Sequence, residues 1–202
     1  MPIIELDKSF ARIQKGYQDI VMNYILHSIL AFSVIFSFKA NLQAESPRLE
    51  SSKSRDILNA MQGKPAPELA LKEWINSKPL DLDLLKGKIV VLDFWATWCG
   101  PCLSAVPHTN KMKKKYAKKG VVIIGVCNQR GAEKMSATVK KYAIEYPVAV
   151  DAGTNASYKV SSYPDYYVID RRGILRWADV ANNDVEKAIE ILLREQPGKG
   201  KK

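Results

Sequence analysis

At 202 residues, 47% of them hydrophobic and 26% charged, the chain has the length and balance of one packed domain with appendages, which excludes a multidomain assembly and a disordered chain. Eleven glycines and ten prolines exclude a collagen-like repeat, and three cysteines are too few for a disulfide-stapled miniprotein. The formal charge of +10 raises nucleic acid or an anionic membrane as partners until the charges are placed along the chain.

The first predicted element is the uncharged run Ile20 to Phe38. As a helix it would extend about 28 Å, close to a hydrocarbon core of about 30 Å. A buried core helix would show one polar face, and Asn23, His27, Ser28, Ser33 and Ser37 do not form one. Residues 1–38 are therefore expected to be an export signal or a membrane anchor, which places the rest of the chain in the periplasm or on the outer face of the cytoplasmic membrane. Signal and anchor stay open, because Asn41-Leu42-Gln43-Ala44 offers only a poor cleavage site. Residues 39–62 are polar and read as a linker. A domain is expected over 63–195, followed by a basic tail, 196–202.

Within that domain the pattern predicts a short strand at 69–74, then Ile89 to Trp95 as a central strand apolar on both faces. A helix from about Cys99 to Lys118 contains Pro107, which is expected to kink it. Val121 to Val126 is a second buried strand and Ala132 to Tyr142 a helix. Shorter strands follow at 148–150, 166–170 and 174–178. Asp184 is expected to cap a last helix through Arg194, with Val185, Ala188, Ile189 and Leu192 facing inward. This order implies an α/β fold, a central mixed β-sheet with helices on both faces, whose reactive end lies beyond the carboxyl end of the first long strand.

That end carries Trp98-Cys99-Gly100-Pro101-Cys102. Two thiols three positions apart at a helix start can close a small disulfide, and the helix N-terminus favours the first as a thiolate. Cys99 is thus the expected nucleophile and Cys102 the thiol that resolves the mixed disulfide. Half of a zinc site is the competing reading, but only Cys127 and His108 remain to complete it, so no metal and no cofactor are expected.

The run Val91-Leu92-Asp93-Phe94-Trp95-Ala96-Thr97-Trp98-Cys99-Gly100-Pro101-Cys102 resembles the thioredoxin superfamily signature, and the preceding Leu84-Leu85-Lys86-Gly87-Lys88 resembles its exported TlpA/ResA-like branch. The resemblance covers roughly residues 63 to 195. It implies a thioredoxin fold, thiol–disulfide exchange with protein substrates, and an upstream thiol reductant. It also implies that Pro164 is a cis-proline beside the dithiol, with Trp98 and Tyr163 flanking the substrate; an ordinary turn proline is the alternative. Gly-Pro between the cysteines is more similar to reducing thioredoxins than to strong oxidants. Tyr163 and Asp165 stand where the branch more often has a smaller residue and a threonine, and Arg130 stands where some of its cytochrome-maturation reductases carry a glutamate.

Asp93 interrupts an apolar strand six residues before Cys99. Burial would raise its pKa until it exchanges protons with Cys102, whereas a solvated strand end would leave it an ordinary surface acid. Cys127 reads as a small buried hydrophobe or a regulatory thiol, and His108 as a helix-surface residue. Lys111, Lys114, Lys115 and Lys118 share a helix face that complements the helix carboxyl end, so the positive charge does not call for nucleic acid. A non-catalytic binding module with a structural disulfide or zinc is the rival function. A thiol peroxidase would need a Pro-x-x-x-Thr-x-x-Cys loop, which the chain lacks.

Overall fold

The structure is a computed structural model that describes Met22, residues 46–51 and residues 53–195. The chain divides after Ser46 into two units, and every element named here belongs to the second. The expected export or anchor segment and the tail 196–202 lie, Met22 apart, outside the described residues. Among the described residues no helix is long and apolar enough to cross a membrane.

Six strands make one mixed sheet: β1 (Leu71–Ile75), β2 (Ile89–Trp95), β3 (Val121–Cys127), β4 (Val148–Asp151), β5 (Asp165–Ile169) and β6 (Leu175–Val180). Their spatial order is β1-β4-β3-β2-β5-β6. β2, β3 and β4 run parallel, while β1, β5 and β6 run antiparallel to their neighbours. The α-helices of this unit are α1 (Arg55–Met61), α2 (Gly100–Tyr116), α3 (Met135–Lys141), α4 (Thr154–Ser157) and α5 (Val185–Arg194) among the described residues.

Period-two alternation along β2 divides the interior into two cores. Ile89, Val91 and Trp95 pack with Cys102, Val106, Met112 and Tyr116 of α2, with Met135 and Val139 of α3, and with Val185, Ala188, Ile189 and Leu192 of α5. Val90, Leu92 and Phe94 pack on the other face with Leu58 of α1 and with Tyr158, Tyr167 and Leu175. All seven β2 side chains are buried, as a strand covered on both faces requires. The long helix runs through Pro107 to Tyr116, tightens into a 3-10 turn over Ala117–Lys119 and stops at Gly120, whose φ of 78° an L side chain rarely adopts.

Two expectations need correction. The linker does not extend to residue 62, because residues from Pro47 onward are folded onto the domain. Leu49 bridges Val180, the Glu50 N–H donates to the Asp179 carbonyl at 2.8 Å, and α1 buries Leu58 in the second core. Few apolar residues in a polar stretch suffice here because β6 offers backbone partners to the incoming chain. Asp184 precedes α5 but makes no side-chain cap. Its carboxylate instead accepts from the Arg48 backbone N–H at 2.7 Å and from the Arg48 guanidinium at 2.9 Å, so it serves the folded N-terminal segment.

Candidate active site

The turn between β2 and α2 presents the dithiol. Cys99 is the N-cap residue of α2, with extended backbone, and its Sγ accepts the Cys102 backbone N–H at 3.2 Å. The two cysteines are joined as a disulfide with a Cα–Cα separation of 5.3 Å. Both are buried, and the first turn of this 17-residue helix carries no acidic residue to offset the positive end of its dipole. The same geometry that donates an N–H to Cys99 Sγ in the disulfide would stabilise a thiolate there once the bond is reduced.

Next to Cys99 in the chain, Trp98 is held in a set of interlocked side chains. Trp98 is 52% exposed, yet its indole is fixed: Nε1 donates to the Arg130 carbonyl at 2.9 Å. The Tyr163 ring meets it edge-on at 5.8 Å between centroids, and the Arg130 guanidinium lies 5.6 Å from its ring. The Tyr163 hydroxyl accepts from Asn128 Nδ2 and Asn155 Nδ2, each at 2.6 Å. Thr97 Oγ1 donates to the Gly131 carbonyl at 2.8 Å. Gly131 has φ 86°, and a Cβ there would stand 2.6 Å from Thr97 Oγ1, so glycine is required for this closure. The Tyr163–Pro164 peptide is cis. Asn128 and Asn155, which orient Tyr163, carried no signal in the sequence, because one follows β3 and the other lies in the short helix α4, and only the fold brings them together.

Asp93 is buried in mid-sheet, paired with Gly125 of β3 and with Tyr166 of β5. Alternation with Val91 and Trp95 turns its side chain toward the core that α2 and its cysteines close. It is not a solvated strand end. Burial pushes its carboxyl up to about 7, a rise that interactions with the Tyr146 and Tyr166 hydroxyls restrain. Tyr146 Oη donates to Asp93 Oδ2 at 3.3 Å.

The remaining candidates lie away from this arrangement or are inert. Cys127 is free and fully buried, and burial pushes its thiol up to about 12. His108 is on the surface of α2, 3.6 Å from Glu186. Lys114 and Lys115 pair with Glu145 and Glu186 at 2.8 and 2.6 Å, which accounts for part of the basic face. Among the described residues no group of three or more His, Cys, Asp or Glu side chains is placed to hold a metal ion.

Comparison with known proteins agrees with this fold. The family model of the AhpC/TSA family matches residues 62–178. The thioredoxin-like protein YneN of Bacillus subtilis is 37% identical over 128 residues, covering 61% of this chain and 74% of YneN. The thiol-disulfide oxidoreductase ResA of Bacillus cereus is 38% identical over 113 residues, and the match covers 55% of this chain and 65% of ResA, just under two thirds of that relative. Among solved structures, the thioredoxin-like superfamily protein SPOA0173 superposes with a TM-score of 0.59 at 27% identity, covering 66% of this chain and 99% of that one. A thiol-disulfide isomerase from Corynebacterium glutamicum superposes with a TM-score of 0.58 at 26% identity, covering 66% and 99%. With a mixed sheet flanked by helices and a cysteine pair at the mouth of its long helix, the chain belongs to the AhpC/TSA family, as a thioredoxin-like member whose relatives include thiol-disulfide oxidoreductases.

Proposed function

We propose that the protein is a thiol–disulfide oxidoreductase that reduces protein disulfides outside the cytoplasm. In the reduced enzyme the Cys99 thiolate attacks one sulfur of a substrate disulfide, forming a mixed disulfide and releasing the other substrate sulfur as a thiolate. Cys102 then gives its proton to Asp93, attacks Cys99 Sγ, and releases the second substrate sulfur. The substrate gains two electrons, and the Cys99–Cys102 disulfide that remains is re-reduced by an upstream protein dithiol. The substrate strand would pair with backbone beside Pro164 and Tyr163, with the exposed Trp98 flanking it.

The observation that carries this reading is the Cys99–Cys102 disulfide at the N-terminus of α2, with a buried acid on the same face of the sheet. Reduction as the working direction rests on the Gly-Pro pair between the cysteines. The location rests on the uncharged run from Ile20 to Phe38, which would tether the domain to the outer face of the membrane or direct its export. The reduced protein is expected to reduce insulin disulfides, and Cys99→Ser to lose that activity. Its reduction potential should lie nearer the ~−270 mV of thioredoxin than the ~−120 mV of a strong oxidant such as DsbA. A disulfide that resists dithiothreitol, or stoichiometric zinc in the purified protein, would favour a non-catalytic binding module instead.

A further inference from the structure

Directly opposite Asp93, β3 carries Gly125, whose φ is not left-handed, so backbone conformation does not explain the glycine. Space does. A Cβ at this position would stand 2.7 Å from Val148 Cγ1, 3.0 Å from Trp95 Nε1 and 3.0 Å from Tyr146 Cε2. The Tyr146 ring therefore crosses β3 through the gap left by the missing side chain, and its hydroxyl arrives 3.3 Å from Asp93 Oδ2. From the opposite side, Tyr166 is the register partner of Asp93 on β5, and its hydroxyl interacts with the same carboxyl. Thr109 of α2, two helical turns beyond Cys102, interacts with both tyrosine hydroxyls.

We propose that Tyr146 and Tyr166 are positioning residues that hold the Asp93 carboxyl between them for proton exchange with the dithiol, and that Gly125 is the slot through which Tyr146 reaches it. The inference rests on the proton-relay role proposed above for Asp93. The core on this face of the sheet holds these two phenols, Trp95, Cys99, Cys102 and Cys127, with Thr109 of α2 buried beside them. None is a cation, so the phenols do what a charged neighbour would otherwise do. Tyr146 donates a hydrogen bond to the carboxyl, and a second from its register partner Tyr166 would likewise favour the ionised form and oppose the burial that favours the neutral one.

The test is the titration of Asp93 followed by its side-chain carboxyl carbon in NMR, in the full chain and in Tyr146→Phe and Tyr166→Phe, with resolution of a trapped mixed disulfide measured over the same pH range. Each Phe variant keeps the ring and removes only the donor. The midpoint is expected to move alkaline by about one unit, which slows resolution on the order of tenfold at pH ~6 and leaves it equal to the parent at pH ~9. Gly125→Ala should give the same shift if it folds. Unmoved midpoints in both Phe variants would overturn the proposal. A parent that does not reduce disulfides would instead strike at the proposed function, while the NMR titration would still decide whether the tyrosines hold the acid.

Discussion

Cys99 and Cys127 sit near the same end of the sheet but in opposite electrostatic surroundings. Cys99 faces the N-terminus of a long helix, which favours its thiolate, whereas Cys127 is enclosed by apolar side chains that hold its thiol protonated far above neutrality. Brief iodoacetamide treatment of the reduced protein at pH ~7 should therefore label Cys99 first and Cys102 more slowly, with Cys127 unlabelled until the chain is unfolded. Peptide mapping checks the order, and preferential labelling of Cys102 would overturn the assignment of nucleophile. Asp93 acts on the second half of the exchange. Asp93→Asn removes the acceptor for the Cys102 proton while leaving the helix terminus at Cys99 intact. Resolution should slow by about 10²- to 10⁴-fold, the usual contribution of a positioned acid–base group, while initial attack changes little. Stopped-flow resolution rates equal to those of the parent would remove Asp93 from the mechanism.

Among the elements, β2 and β3 were legible in the sequence because each is a seven-residue run whose side chains serve two cores, so apolar residues fill almost every position. The start of α2 was legible because Cys-Gly-Pro-Cys puts proline in its first turn. The segment 47–62 was not, because its partners are remote. Arg48 holds Asp184 and Arg55 donates to the Ala178 carbonyl, contacts that span 136 and 123 residues and that local composition averages away. The same remoteness hid the slot at Gly125, since a glycine within a strand announces a close approach without naming what approaches. If α1 belongs to the domain, Leu58→Ala should cost about 2–5 kcal/mol, the usual range for emptying a fully buried leucine site. A chain starting at Gly63 should be less stable in urea than one starting at Pro47. Equal denaturation midpoints for the two truncations would restore the linker reading.

Across the whole molecule, the acids divide into two groups with opposite pH dependence. Hydrogen bonds from Arg48 hold Asp184, and those from Lys115 hold Glu186, below the ordinary carboxylate range. Asp170 is held low by Arg172 and by backbone N–H groups, against the opposing effect of burial. Their stabilisation is present above the unfolded pKa and fades as pH falls through the lower folded values. It is small where the pairs are exposed. Asp93 and Asp165 behave in the opposite way. Burial raises both, and the Asp179 carboxylate beside Asp165 raises it further, on the sheet face where Arg55 of α1 approaches Asp179 at 3.7 Å. In the folded state these two retain protons that the unfolded chain releases above its ordinary carboxylate pKa of 3.8, so stability declines as pH rises from there. For Asp93 the decline levels off beyond about 7. Each retained proton contributes a slope of at most ~1.4 kcal/mol per pH unit. The melting temperature should therefore peak in mildly acidic solution and fall toward pH ~9, whereas Asp93→Asn combined with Asp165→Asn should flatten that fall. Calorimetry across this range checks both curves, and a parent equally stable at pH ~5 and ~9 would show that neither acid keeps its proton in the fold.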